Sequence, residues 1–282
     1  MRIGFIGAGL MGHGMVSNLL TRGHQVFVVA HRNRAPVEDL LAKGAVEAAN
    51  LQDMAENSDF LVFCLSSSKI VDQMVSALIP HLRSGQILID TGTSEPETTR
   101  QLASRLEGLG IGYADAPLTG GPEQAARAEL GVLCGASQET FAAIAPLLSC
   151  FASTIRHMGP VGAGHSAKLI SNYLVTGMIA LVAEAFGTAQ KAHLNWQDLY
   201  EAMLNGSGNS GVLRKMVAPA LAGNFEGYRF STGNAFKDIT YYKALATGLG
   251  ASSPLLDAVE AVFSKAVGDG LGDSNVSHLL IL

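Results

Sequence analysis

A lysine that precedes a long apolar segment is the residue whose position most clearly indicates chemistry. Lys168 stands before a run over residues 169–183 that contains no acidic or basic side chain. Desolvation lowers the pKa of a lysine toward neutrality, so a buried amine can donate and recover a proton at physiological pH. Asn172 follows four residues later, which places both side chains on one face of a helix. The alternative is that Lys168 extends its ammonium group to solvent along apolar surface.

A glycine-rich turn near the amino terminus is the second chemical feature. It has the GxGxxG spacing, follows a strand-like run and opens a helical run, which is the context that a dinucleotide-binding turn needs. Glycines permit close approach of the backbone, and a helix N-terminus offers free N–H groups to a pyrophosphate. A glycine-rich structural turn is the alternative. The predicted cofactor residues are Gly7, Ala8, Gly9, Leu10, Met11 and Gly12.

The end of the second predicted strand bears on the choice between NAD and NADP, because an acidic residue there would hold the ribose 2′-hydroxyl of NAD. This sequence has no carboxylate at that point and has two arginines close together. Guanidinium groups bind a 2′-phosphate through charge-assisted, forked hydrogen bonds. We therefore predict that NADP(H) is favoured and that NAD(H) is possible if the arginines are solvated loop charges. The residues of this loop are His31, Arg32, Asn33 and Arg34.

Strand and helix signals alternate through the first half of the chain, which predicts a parallel sheet with crossover helices. Helical runs over residues 10–21 and 96–109 lie between strands, and the second opens on a proline and ends before a glycine. These signals together predict a doubly wound Rossmann sheet. The predicted strands cover residues 2–6, 25–30, 59–65, 86–90, 112–116, 130–134 and 153–157.

Strand signals disappear after residue 162, and the rest of the chain has helical patterns. The first predicted helix is apolar almost all round, which predicts burial against other helices or a partner subunit. The fold class is therefore α/β, with an N-terminal Rossmann domain over residues 1–160 and an all-α C-terminal domain over residues 161–282. The predicted helices cover residues 166–193, 196–204, 211–222, 236–247 and 255–267.

Composition and charge exclude several classes of protein. Of 282 residues, 48% are hydrophobic and 15% are charged, which allows a large core and predicts a compact globular protein. The net charge of -5 comes from interspersed charges, which argues against nucleic-acid binding. The uncharged run over residues 169–183 is shorter than the roughly 20 residues of a membrane span, and no signal-peptide pattern precedes the first strand. We expect a cytoplasmic protein without a membrane partner.

The cysteines and histidines give no indication of a metal or disulfide site. The three cysteines fall in apolar stretches without a CxxC pair, which predicts buried, reduced thiols. His13, His165 and His193 lack a metal-ligand spacing to a second histidine or carboxylate. We predict structural roles for them in a loop, at a helix start and at a helix end, although His165 lies three residues from Lys168.

Five segments in a fixed order carry a family resemblance over nearly the whole chain: GFIGAGLMG at residues 4–12, DTGT at 90–93, DAPLTGG at 115–121, residues 164–172, and residues 230–238. They resemble the β-hydroxyacid dehydrogenase family, which includes 3-hydroxyisobutyrate dehydrogenase and several semialdehyde reductases and is related to 6-phosphogluconate dehydrogenase. The resemblance implies hydride transfer between NAD(P)(H) and a small 3-hydroxy acid or its semialdehyde. Glyoxylate-type aldehydes are possible substrates, and the identity of the substrate stays open.

The resemblance also implies the roles of individual residues at the substrate. Lys168 would be the general acid in reduction, and Asn172 would orient it or the substrate oxygen. The turn of Thr119, Gly120 and Gly121 would receive the substrate carboxylate through a hydroxyl and backbone N–H groups. Family members usually have serine in place of Thr119 and often asparagine at position 171, which is serine here. The added methyl group narrows the carboxylate end, and no role for a second asparagine carries over.

Further residues are implied at the cofactor and around the pocket. Thr93 would lie at the nicotinamide end, and Phe230 would wall the nicotinamide or substrate pocket. Lys237 would reach the cofactor, and Asp238 would lie at the substrate and support Lys168 or Lys237 electrostatically. The alternative for Lys237 and Asp238 is a surface ion pair at a helix start, which contributes little. Two residues at the end of the third predicted strand complete the predicted cofactor site, Leu65 and Ser66.

Two other functions and the assembly state were weighed against this interpretation. Imine reductases resemble the same architecture but usually have another residue, often Asp or Tyr, as the proton donor, so Lys168 argues against them. A non-catalytic dinucleotide-binding interaction module would be marked by loss of this lysine. The long apolar helix has more hydrophobic surface than the helical half can readily cover, which predicts a homodimer or homotetramer.

Overall fold

Nine strands form one sheet in the part of the chain that the computed structural model describes, residues 1–30, 33–251 and 253–282. The strands are β1 (Arg2–Ile6), β2 (Gln25–Val28), β3 (Val46–Glu47), β4 (Phe60–Phe63), β5 (Ile87–Asp90), β6 (Gly112–Asp115), β7 (Leu118–Thr119), β8 (Leu130–Gly135) and β9 (Ala152–Gly159). They are arranged in the order β3-β2-β1-β4-β5-β6-β8-β7, with β9 beside β8. Every pairing from β3 to β6 is parallel, so the predicted Rossmann sheet is confirmed.

The edge of the sheet beyond β6 departs from the parallel pattern that the sequence predicts. β8 pairs antiparallel with both β6 and β7, and β9 pairs parallel with β8. Parallel strands need a crossover of roughly a dozen residues or more, whereas β7 and β8 are joined through the short helix Pro122–Ala126. The prediction also lacks β3 and β7, because an alternating pattern cannot be recognised in two residues.

Helices cover both faces of this sheet. The helices before and between the strands are α1 (Gly12–Thr21), α2 (Ala35–Ala42), α3 (Leu51–Asn57), α4 (Ser68–Leu78), α5 (Pro96–Glu107), α6 (Pro122–Ala126) and α7 (Gln138–Leu148). Successive side chains of β1 enter different cores: Phe5 packs in the cluster that contains Met15 of α1, and Ile6 packs in the one that contains Met54 of α3. The sheet is therefore doubly wound.

The chain divides into two compact units, Met1–Lys168 and Leu169–Leu282. This division lies eight residues after the predicted domain boundary at residue 160, because the first turns of the next helix, which begins at Ala163, belong to the first unit. The second unit is helical, with a core that includes Ile179, Phe186, Met216 and Phe263. The helices from this point on are α8 (Ala163–Lys191), α9 (Trp196–Leu204), α10 (Gly211–Leu221), α11 (Thr232–Gly248) and α12 (Leu256–Ala266).

Helix α8 is less buried than its composition predicts. Ile179 and Phe186 are buried, but Ile170, Leu174 and Leu181 are 56%, 65% and 67% exposed. Burial against other helices of the chain thus covers only part of α8, and burial of the exposed stripe by a partner subunit stays a prediction. At 29 residues, α8 is also long and apolar enough to cross a membrane by length and composition, contrary to the expectation from the shorter uncharged run. One such helix is weak evidence, because core helices pass the same test.

Candidate active site

The glycine turn lies at the carboxyl end of β1 and continues into α1. Gly7 has a φ of +104°, which favours glycine, and a Cβ at Gly12 would collide with the Gly7 carbonyl oxygen. A Cβ at Gly9 would meet no atom within 4 Å, and α1 has no acidic residue in its first turn. Of the other turn residues, Ala8 and Met11 pack against the core, and Leu10 is exposed. Open backbone at a helix N-terminus without a local counter-charge fits a pyrophosphate.

The loop after β2 is described from Asn33 onward, so His31 and Arg32 lie outside the described residues. Asn33 accepts a backbone hydrogen bond at the start of α2. The Arg34 guanidinium donates to both carboxylate oxygens of Glu47 at 3.0 and 3.1 Å, and this pairing lowers the pKa of the Glu47 carboxyl. A 2′-phosphate would therefore compete with Glu47 for Arg34.

Three predicted cofactor residues follow neighbouring strands. Leu65 and Ser66 come after β4, and Thr93 comes after β5. Strands β1, β4 and β5 are adjacent and parallel, so their carboxyl ends meet at one edge of the sheet. Open α/β sheets bind ligands at this edge. The structure thus brings Leu65, Ser66 and Thr93 to the same edge as the glycine turn.

The turn predicted to hold a substrate carboxylate follows β7. Thr119 pairs with Gly131 of β8, where a Cβ would collide with the Thr119 hydroxyl oxygen. The Gly121 N–H donates to Gln124 Oε1 at 2.9 Å. One of the predicted carboxylate donors therefore has an internal partner, and the prediction depends on the Thr119 hydroxyl and the Gly120 N–H.

Lys168 lies in the second turn of α8 and belongs to the first unit, which also contains the glycine turn. A residue that sequence reasoning missed, Asp115 at the end of β6, holds the start of this helix. Its Oδ1 accepts the Gly162 N–H and its Oδ2 accepts the His165 N–H, each at 2.7 Å. Asp115 has no solvent exposure. The available signal was an acidic residue at the end of an otherwise apolar strand, two residues before Pro117.

His165, for which the sequence predicts a structural role at a helix start, extends this buried cluster. Its Nδ1 lies 2.8 Å from Thr99 Oγ1, and its Nε2 lies 3.7 Å from Asp90 Oδ2. The Asp90, Asp115 and His165 side chains have no solvent exposure. Burial raises the pKa of Asp115, and the nearby His165 together with the two N–H donors opposes that rise. Buried titratable groups gathered in this way, three residues before the predicted proton donor, are functional candidates.

Three predicted residues of the second unit lie together. Asn172 Nδ2 donates to Asp238 Oδ2 at 2.6 Å, and Lys237 Nζ lies 3.2 Å from Asp238 Oδ1. Asp238 is 4% exposed and lies inside α11, so the pair is not the surface pair of the alternative interpretation. Phe230 precedes α11 and is partly buried against the core of this unit.

The thiols and the remaining titratable groups offer little chemistry. The three cysteines are free, and burial raises the pKa of Cys64 to about 11 and that of Cys134 to about 12. Neither is a thiolate nucleophile at neutral pH. His13 pairs with Asp39 at 2.6 Å near the surface. Within the described ranges, no group of three or more His, Cys, Asp or Glu residues could hold a metal ion.

Models of known families match the chain in two consecutive parts. A model described as the NAD binding domain of 6-phosphogluconate dehydrogenase matches residues 2–159. A second, described as NAD-binding of NADP-dependent 3-hydroxyisobutyrate dehydrogenase, matches residues 162–282. The two matches together cover nearly the whole chain.

Individual relatives match over nearly their full length. The chain is 31% identical over 286 residues to 2-(hydroxymethyl)glutarate dehydrogenase of Eubacterium barkeri, which covers 99% of this chain and 94% of that protein. It is 31% identical over 293 residues to 3-hydroxyisobutyrate dehydrogenase of Pseudomonas aeruginosa, with 98% and 97% covered. The structure of Mycobacterium tuberculosis 3-hydroxyisobutyrate dehydrogenase with L-serine matches with a TM-score of 0.90 at 26% identity, over 100% of this chain and 98% of that one.

Proposed function

Since this chain belongs to the β-hydroxyacid dehydrogenase family, we propose that it transfers a hydride between NADP(H) and a small 3-hydroxy acid or its semialdehyde. The protein is an NAD(P)-dependent oxidoreductase that acts on a CH–OH group. The finer proposal is supported by Lys168, which lies in the compact unit of the glycine turn and to which the family resemblance assigns the proton donation.

Residues of the first unit would hold the dinucleotide. The open backbone at Gly9 and the N-terminus of α1 would receive the pyrophosphate, and Arg32 with Arg34 would receive a 2′-phosphate. Thr93 would lie at the nicotinamide end. When bound, the nicotinamide supplies the hydride in reduction and accepts it in oxidation. Phe230 and Lys237 remain predicted cofactor contacts.

Lys168 would protonate the oxygen of the carbonyl as it becomes an alkoxide, and would take the proton back in oxidation. Asn172 stands one turn further along α8, and its amide nitrogen donates to Asp238. Its carbonyl oxygen would accept a hydrogen bond from the substrate hydroxyl or the ammonium group, and its second N–H would donate to the substrate carbonyl oxygen. The Thr119 hydroxyl and the Gly120 N–H would hold the substrate carboxylate.

A spectrophotometric panel with both cofactors tests the proposed function. It would include glyoxylate, succinic, tartronate and methylmalonate semialdehydes, 3-hydroxyisobutyrate, 3-hydroxypropionate, serine and threonate, with uncharged aldehydes as controls for carboxylate recognition. We expect turnover of at least one carboxylate and a higher kcat/KM with NADP(H), because Arg32 and Arg34 can pair with a 2′-phosphate.

The two parts of the proposal fail separately in this panel. Absence of turnover in both directions with every substrate would contradict the proposed reaction. A preference for NAD(H) of about tenfold or more would contradict the cofactor assignment and leave the reaction in place. Equal turnover of uncharged aldehydes would contradict the role of the Thr119 turn.

We also propose that the exposed stripe of α8 packs against a second copy of the chain, in a homodimer or homotetramer. Ile170, Leu174 and Leu181 are spaced four and seven residues apart, which aligns them along one face. A helix face of this kind, covered by another copy, suits a soluble, cytoplasmic protein better than a membrane span, because a span of about 20 residues would have to place Lys168 or Glu184 in the bilayer.

Replacing Leu174 with aspartate is expected to convert the assembly to a monomer, because a charge would then enter an apolar interface. Sedimentation velocity at micromolar concentration measures the change. Leu109, which is 47% exposed and lies in the first unit after α5, provides the control, and Leu109→Asp should sediment like the wild type. A wild-type protein that sediments as a monomer would contradict the proposed assembly.

A further inference from the structure

We propose that Asp115 is a positioning residue for Lys168, and that the buried cluster of Asp115, His165, Thr99 and Asp90 fixes the helix of Lys168 against the loop of Thr93. The inference rests on the proposed function, and it gives a role to Asp90 and Asp115, which the family segments contain but to which the resemblance assigned none. All residues of the cluster belong to the first unit, as does Lys168.

The N-terminus of α8 is capped from a distant part of the chain. The first N–H groups of a helix lack partners within it, and a Ser, Thr, Asp or Asn just before the helix usually supplies them. Here the residue before Ala163 is Gly162, which has no side chain. The carboxylate of Asp115 supplies both hydrogen bonds from 47 and 50 residues earlier in the sequence. The position of the helix start is therefore set by the end of β6.

The backbone around this cap leaves no room for adjustment. A Cβ at Gly164 would collide with the Leu133 carbonyl oxygen and would lie 2.8 Å from both the Asp115 carbonyl oxygen and the Gly135 nitrogen. A Cβ at Gly135 would lie 2.7 Å from the Gly164 nitrogen. The first turn of α8 thus rests directly on the backbone of β6 and β8. Lys168 follows one turn later on a rigid helix.

The same cluster holds the loop of Thr93. Asp90 Oδ1 accepts the Gly92 N–H at 2.9 Å, and its Oδ2 accepts the Ser94 hydroxyl at 2.7 Å. His165 lies beside Asp90 and contacts Thr99 of α5, whose hydroxyl also donates to the Glu95 carbonyl oxygen. One buried cluster therefore contacts both the loop that carries Thr93 and the helix that carries Lys168.

A helix cap that served stability alone would not need a buried carboxylate such as that of Asp115. Burying a carboxylate costs free energy that its hydrogen bonds must offset, and a neutral side chain caps a helix without that cost. The gain we infer is precision, because a misplacement of about 1 Å at reacting groups can lower a rate by about 100-fold. Fixing α8 against the Thr93 loop would limit such misplacement of Lys168.

Asp115→Asn tests the role, because the amide keeps the size but presents a donor to one of the two backbone N–H groups. We expect kcat to fall by about tenfold or more, with the cofactor dissociation constant unchanged. The isotope effect on kcat with C4-deuterated NADPH should rise, since a misplaced proton donor slows the chemical step. Hydrogen exchange of residues 160–170 should become faster.

Thr99→Val, which removes one hydroxyl and keeps the shape, should change kcat and the isotope effect in the same directions but less.

Asn195→Ala is the matched control, because Asn195 also accepts two backbone N–H groups at a helix start, that of α9. It should lower stability and leave kcat per folded molecule and the isotope effect unchanged. The inference is overturned if Asp115→Asn keeps the wild-type kcat and isotope effect, or if Asn195→Ala reproduces its kinetic losses. Should Asp115→Asn not fold, a wild-type isotope effect in Thr99→Val overturns it and a raised one supports it. Absence of turnover in the wild-type enzyme would instead refute the proposed function. Hydrogen exchange of residues 160–170 would still report whether Asp115 caps the helix.

Discussion

Replacing Lys168 with alanine is expected to lower kcat by at least about 100-fold, the low end for loss of a positioned proton donor, while cofactor affinity stays nearly unchanged. Without the amine, the forming alkoxide would have to take its proton from water. Steady-state turnover on the best substrate of the panel gives kcat, and fluorescence titration with NADPH gives the cofactor dissociation constant. Unchanged turnover would remove Lys168 from the mechanism.

Two companion variants separate proton donation from charge. Lys168→Arg keeps a positive charge, but a guanidinium does not release its proton at neutral pH, so it should also be strongly impaired. Lys191→Ala removes an exposed lysine in the last turn of the same helix and should behave like the wild type. Wild-type turnover in Lys168→Arg would reduce the role of Lys168 to electrostatic attraction of the substrate carboxylate.

Replacing Gly9 with alanine is expected to weaken cofactor binding by about tenfold or more, because a methyl group would occupy the space through which the backbone approaches the pyrophosphate. The ligand-free protein should keep or slightly raise its melting temperature. A Cβ at Gly9 meets no protein atom within 4 Å, and Gly→Ala substitutions at permissive sites restrict the unfolded chain. NADPH titration and thermal unfolding without ligand measure the two effects.

The control for this variant is Gly211→Ala at the start of α10, where a Cβ also meets no atom within 4 Å. It should leave both cofactor affinity and turnover unchanged. Wild-type cofactor affinity in Gly9→Ala would contradict the placement of the pyrophosphate at this turn. A large loss of stability in the ligand-free variant would contradict the open geometry of the turn.

Local patterns predict much of the fold where the signals are short-range. The first strand and helix α9 have the predicted bounds, residues 2–6 and 196–204. The strand is a short buried run beside a turn, and the helix has Asn195 as a side-chain cap. Helix α11 shows the limit of this approach, since it begins at Thr232 behind the cap of Ser231, before the first strongly apolar residue. Asp238 therefore lies inside the helix, where it is buried.

Features that depend on tertiary contacts are not contained in such patterns. Helix α8 begins before residue 166 because its cap is Asp115, and no residue near its start signals that contact. Burial of His165 between two carboxylates likewise depends on β5 and β6 lying side by side. The exposed stripe of α8 could not be distinguished by composition from its buried face. The motifs thus predict which residues form the candidate site, and the structure was needed to find the contacts that hold the start of α8 in place.

A crystal structure of the protein with NADP(H) and the substrate identified by the panel tests the central claim most directly. The measurement is the distance from Lys168 Nζ to the reacting oxygen of the substrate. We expect it to lie within hydrogen-bond reach, about 2.6–3.2 Å, with the reacting carbon facing the nicotinamide ring. A complex in which the Lys168 amine points away from the nicotinamide, and another group contacts that oxygen, would contradict the proposed mechanism.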